Sequence, residues 1–179
     1  MTAALRGRGF PKDRQDRIPE LVAAYRQSRA DKGLPYDDGA ITRAVAGDIR
    51  FRIPSIRYAE AHVERDLPTH MYLFTHVSPA MRGALGACHA LDLPFVFGTL
   101  DMPLQDRFAG SGPEVEALSA AMMRSWIAFA KTGDPNYDGS TTRWPRYDAA
   151  ARSTMIFDKA IRVEDAPLDA ERAAWDGII

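Results

Sequence analysis

The sequence predicts an α/β fold, helix-rich with few strands, and two observations carry that prediction. Between Thr69 and Val77, Met71, Leu73 and Val77 share one strand face while Tyr72 and Phe74 share the other, so both faces are mostly apolar. Such a strand belongs inside a parallel sheet, covered on both sides. The second observation is the order of the downstream segments: a loop around His89, a long amphipathic helix, and the short apolar run Thr154 to Phe157. Strand, helix, strand is a parallel crossover unit, for which a right-handed connection is expected.

Upstream, Ile18, Leu21, Val22 and Tyr25 lie at helical spacing, with Pro19 suited to a first turn and Gly33 to a stop. Asp37 and Asp38 read as a helix cap, and Ile41, Val45 and Ile49 form an apolar line through a helix over Asp38 to Ile49. Pro54 is expected to break or restart it, with a further helix over Ser55 to Arg65. After the His89 loop, Ser111 and Glu114 offer a capping box for a helix carrying Val115, Leu118, Met122, Trp126 and Phe129 on one face. Gly133 and Pro135 end it. Trp144 to Tyr147 reads as a turn, Ala160 to Val163 as a strand pairing back across Asp158 and Lys159, and Leu168 to Trp175 as a last helix. The whole of 1–179 reads as one partial domain.

At 179 residues, 46% hydrophobic and 26% charged, the chain has the composition of a protein with a packed core. Its 23 basic and 24 acidic residues are mixed along the sequence, which leaves no electrostatic footprint for nucleic acid or an anionic membrane. The single cysteine, Cys88, rules out an internal disulfide and reads as a packing residue. No apolar run is long enough to span a bilayer, and the stretch from Met1 to Arg17 is too polar for a leader. Any targeting signal would then lie outside this chain, with the cytoplasm as the default compartment. His70 and His76 share strand parity but stand too far apart to chelate one ion, and His62 sits in a polar helical stretch where solvation is expected. No metal is expected.

Two or three strands are too few for a stable doubly wound sheet. The isolated chain is therefore expected to expose the edge of the Thr69 to Val77 strand and to self-associate. A monodisperse monomer that melts cooperatively would count against this.

Three motifs occur in a fixed order: Gly86 to Gly98, in which Cys88-His89-Ala90-Leu91-Asp92 precedes Leu93-Pro94-Phe95; Ser125 to Asn136; and Trp144-Pro145-Arg146-Tyr147. Together they resemble the C-terminal third of type-B carboxylesterases, the family of the cholinesterases and bacterial para-nitrobenzyl esterases. The resemblance is tight over the last half of the chain and looser upstream. It implies the C-terminal part of an α/β-hydrolase doubly wound sheet. It also implies that His89 is the catalytic histidine of a triad in which a serine attacks an ester carbonyl, the histidine relays the proton and an acid orients the imidazole. Neither metal nor organic cofactor is implied, and the small-molecule partner is a carboxylic ester. The predominance of arginine over Lys12, Lys32, Lys131 and Lys159 fits a GC-rich bacterial source.

Asp92 stands where many members of that family carry glutamate, and the resemblance implies a supporting role for it. Other parts of the pattern are missing. No Gly-x-Ser-x-Gly occurs, no His-Gly-Gly-Gly type element occurs, and neither does the usual acid motif. Glu20, Asp37, Asp38 and Asp48 precede His89, but helical pattern or capping accounts for them; by resemblance the triad acid lies at or before Met1. Met81, Phe95 and Phe108 are candidates for apolar walls near His89, with an ordinary core role the expected one. The expected function is therefore a portion of a carboxylic ester hydrolase that supplies the histidine, nearly inactive alone, with a complementing N-terminal polypeptide as a possible partner. The alternative is an interaction module derived from the same fold without a working triad.

Overall fold

In the computed structural model, which describes residues 5–6 and 9–179, the chain divides into two units. One comprises the residues up to Glu64 together with Ala166–Ile179, and the other Arg65–Asp165.

The first unit is helical. A 3-10 turn, Lys12–Arg17, leads into α1 (Ile18–Asp31), which buries Ile18, Leu21, Val22 and Tyr25 as the spacing predicts. Gly33 follows in the left-handed region that stops it. At α2 (Asp38–Gly47) the Asp37 carboxylate accepts from the Gly39 and Ala40 amides, so the expected cap is formed. Pro54 restarts the helix rather than ending it. Asp48–Arg52 winds as one wide π turn straight into α3 (Ile53–Val63), with Pro54 in its first turn. A proline has no N–H for the carbonyl four residues earlier, and widening the preceding turn accommodates that loss. The last helix, α7 (Asp169–Ala173), is shorter than the sequence predicts. Phe10, Tyr25, Ile41, Val45, Ile53 and Trp175 form the centre of this core.

The second unit holds a three-stranded mixed sheet. Its strands are β1 (Met71–Phe74), β2 (Thr154–Phe157) and β3 (Arg162–Glu164), in the order β1-β2-β3. β1 and β2 pair in parallel, Met71 with Thr154 through Phe74 with Phe157, and the connection carries the long helix α6 (Pro113–Thr132). The predicted crossover unit is present. β1 is shorter than the apolar run from Thr69 to Val77, which places His70 and His76 outside the strand. β3 pairs antiparallel with β2, two residues later at its start than Ala160.

Ser111 and Glu114 make no capping box. The N-cap of α6 is Gly112 at φ 105°, with Pro113 in the first turn. At the other end Gly133, at φ 77°, closes the helix by donating to Phe129 O at 2.8 Å. The chain returns from α6 through a clasp. Asn136 Nδ2 donates to Trp144 O at 2.9 Å, and Trp144 N donates to Asn136 Oδ1 at 2.8 Å. Trp144 Nε1 then donates to Met71 O at 3.0 Å. Tyr72, Trp126, Trp144 and Phe157 pack around one another with ring centroids 5.0–6.1 Å apart. Two of the motifs singled out in the sequence thus meet at the end of β1, and burying that aromatic surface against α6 contributes about 25 cal/mol per Å².

Candidate functional site

The segment carrying His89 leaves the carboxyl end of β1 and is held at both ends. On the upstream side, His76 is buried and its Nε2 lies 2.9 Å from Ala109 O; since a carbonyl only accepts, Nε2 carries the proton. Ser78 Oγ donates to Phe108 O at 2.5 Å, and Ser78 N donates to Gly86 O at 3.1 Å, which closes the intervening loop. A 3-10 turn, Ala80–Gly83, lies inside it, with Met81 and Arg82 at φ 53° and 58°. Left-handed conformations at non-glycine residues cost energy and persist only where the surroundings fix them.

On the downstream side, Leu91 is fully buried, and Leu91 N donates to Cys88 O at 3.2 Å across the turn that holds His89. α4 (Leu93–Phe97) follows, with Pro94 in its first turn, and the short α5 (Gln105–Phe108) precedes α6. Phe95 is fully buried, 5.1 Å from both the Phe74 and His76 rings, and its carbonyl accepts from Ser119 Oγ of α6 at 2.9 Å. Gly98 ends α4 at φ 64°, and a Cβ there would meet the Met123 thioether. The left-handed backbone favours glycine there, and a Cβ would displace the end of the Met123 side chain.

His89 itself is exposed, in the turn between Cys88 and Ala90, and Ala90 is left-handed at φ 66°. Asp92 is half-buried and accepts from Tyr72 Oη at 2.9 Å. The structure therefore ties the residue three positions after His89 to β1. Burial, the Asp92 charge and this hydrogen bond raise the Tyr72 phenol above its ordinary range. Tyr72 was visible in the sequence only as an apolar strand residue; no spacing rule connects it with Asp92 twenty residues on.

The other expectations drawn from the sequence divide. Phe95 and Phe108 belong to the core of this unit, whereas Met81 is 73% exposed and is no core residue. Cys88 is partly buried against the same core. His70 Nδ1 lies 3.0 Å from Pro145 O, and burial lowers its pKa. His62 is half-buried and stacks 4.4 Å from Tyr58 rather than standing in solvent. Among the described residues no group of three or more His, Cys, Asp or Glu is placed to hold a metal ion. No described helix is long and apolar enough to cross a membrane. Asp37 caps a helix and Asp48 is bonded to Tyr25 and Arg52 in the first unit, as roles outside a triad require. Met1, the latest position expected for the triad acid, lies outside the described residues.

Comparison with known proteins gives one family. Residues 9–175 match the family described as "Carboxylesterase family". The para-nitrobenzyl esterase of Bacillus subtilis (strain 168) is 38% identical over 125 residues, covering 70% of this chain and 25% of that protein. The phenmedipham hydrolase of Pseudarthrobacter oxydans is 35% identical over 137 residues, covering 75% and 27%. The crystal structure of a Geobacillus stearothermophilus carboxylesterase at pH 6.2 superposes with a TM-score of 0.70 at 34% identity, over 88% of this chain and 32% of that one. The chain thus spans about a quarter to a third of the length of these relatives, and its fold is that of α/β-hydrolase carboxylesterases.

Proposed function

The chain belongs to the carboxylesterase family, and on that premise we propose that it contributes the histidine of a serine ester hydrolase whose nucleophile and acid lie on residues it does not contain. The observation that carries this reading is the setting of His89: exposed, on a loop leaving the carboxyl end of a parallel strand, between two buried anchors. Open α/β sheets place their reacting groups outside the carboxyl ends of their strands.

In this role the His89 imidazole takes the proton from the attacking serine hydroxyl as the ester carbonyl becomes tetrahedral. It then returns that proton to the departing alcohol and leaves an acyl-enzyme. Water, deprotonated by the same imidazole, releases the acid. Histidine suits both directions of transfer because the same ring nitrogen accepts a proton in one step and donates it in the next. Asp92 acts at one remove. Its hydrogen bond from Tyr72 fixes the chain after His89, so it is a positioning residue in this scheme. The substrate is a carboxylic ester, no cofactor takes part, and the remainder of the carboxylesterase domain supplies the other members of the triad.

The test is a fluorophosphonate serine-hydrolase probe applied to the purified chain and to His89→Ala, with adducts located by mass spectrometry. No serine adduct is expected on either. A serine adduct that depends on His89 would show that the chain assembles its own site and overturn the reading of a shared one.

A further inference from the structure

Pro113, Ala117, Ala121 and Arg124 recur every three or four residues along α6, so they share one face of the helix over about 16 Å at the helical rise per residue. Opposite that face stand the turn after α6, with Tyr137 and Gly139, and residues 158–161 between β2 and β3. Together they enclose a cleft of about 700 Å³. Its lining belongs wholly to the second unit, and no residue of the His89 loop contributes to it. A largely apolar cleft of that size, with few polar groups, has the dimensions of a small-molecule site.

The lining divides by chemistry. Ala117 and Ala121 offer only methyl groups, while Leu118 and Ile161 connect the cleft with the core of the unit. Of the four charged residues around it, three are satisfied within the protein. Glu114 Oε2 lies 3.1 Å from Lys159 Nζ, and Asp158 accepts from Thr75 Oγ1 at 3.0 Å and from Lys159 N at 2.8 Å. Arg124 differs. Its guanidinium lies over the Tyr137 ring, 5.9 Å from the centroid, and no described carboxylate pairs with it. A cation–π contact restrains the guanidinium without using its N–H donors, and that planar fork matches a carboxylate.

We propose that this cleft binds an alkyl carboxylate, with the carboxylate on Arg124 and the hydrocarbon chain lying along Ala121 and Ala117 toward Pro113. Charge complementarity names the head group: the one cation of the cleft without a carboxylate partner selects an anion, and its forked donors select a planar one. Shape names the tail. A narrow run of about three helical turns floored by methyl groups suits an unbranched apolar chain and offers a polar tail no hydrogen-bond partner. The site is independent of the role proposed for His89.

The experiment titrates the purified chain with decanoate below its micelle concentration, and with decanol as the uncharged match, followed by calorimetry and backbone amide shifts. The expected result is one-to-one binding of decanoate, with shifts centred on residues 117–124, Tyr137 and Ile161, and decanol bound about tenfold or more weakly. Arg124→Gln should weaken decanoate by about tenfold or more and leave decanol unchanged, whereas Ala117→Phe, which fills the cleft, should weaken both. Both substitutions fall at exposed positions, and an unchanged melting temperature of the free chain checks that the fold is intact. The comparison of decanoate with decanol on the wild-type chain needs neither variant. Absence of binding, shifts that map elsewhere, decanol bound as tightly as decanoate, or an Arg124→Gln chain that binds decanoate like wild type would overturn the proposal. Self-association of the chain that Ala117→Phe abolishes would assign the cleft to a second copy and overturn it as well.

Discussion

Tyr72 and Asp92 hold the histidine loop to the sheet through one hydrogen bond, and its consequences are measurable. Tyr72→Phe leaves a half-buried carboxylate without that donor and should cost about 1–3 kcal/mol in urea unfolding. The pH dependence has a definite sign. Burial and Asp92 raise the Tyr72 phenol, so this contribution is complete below the ordinary tyrosine pKa of about 10 and is lost as pH rises through the folded value. Wild type should therefore lose more stability than Tyr72→Phe on going from neutral to strongly alkaline pH, and equal losses would contradict the assignment. Asp92 was legible in the sequence through its place after His89. Its partner was not, because a contact between a strand and a loop depends on tertiary geometry that no local pattern encodes.

Among the elements, those with strong local signals read correctly: α1 from its apolar spacing, α2 from Asp37, the end of α6 from Gly133, and β2 residue for residue. Those settled by competition did not. At α6 a glycine and proline start displaced the capping box, and the π turn over Asp48–Arg52, ahead of the helix that Pro54 restarts, was marked by no sequence pattern. Gly98→Ala tests the close fit of α4 on α6. The left-handed backbone should cost a β-carbon about 1 kcal/mol or more, with Met123 shifting to make room, read as a lower melting temperature. In the first unit, Glu171 of α7 is buried beside Arg29 of α1 and Arg52 of the π turn. Burial and, next, the Asp48 charge raise its pKa. Its contribution is therefore full below the ordinary glutamate pKa of about 4.3 and is lost as pH rises through the folded value. Calorimetry from mildly acidic to neutral pH should show wild type losing ground to Glu171→Gln; a gap that does not change with pH would refute this.

For the whole molecule, the family and the α/β class were legible because three motifs keep their order along the chain, whereas the division into two units was not. That division depends on residues 166–179 joining the residues up to Glu64, a pairing across more than one hundred positions that no local pattern marks. The proposed chemistry turns on His89. The most direct measurement replaces the matching segment of the Bacillus subtilis para-nitrobenzyl esterase with this chain and follows ester hydrolysis, alongside His89→Ala and His76→Ala in the same chimera. The expected result is an active chimera that loses activity on the order of 10⁶-fold in kcat with His89→Ala. An active chimera in which His89→Ala hydrolyses esters as fast as the parent would contradict a catalytic role for this histidine.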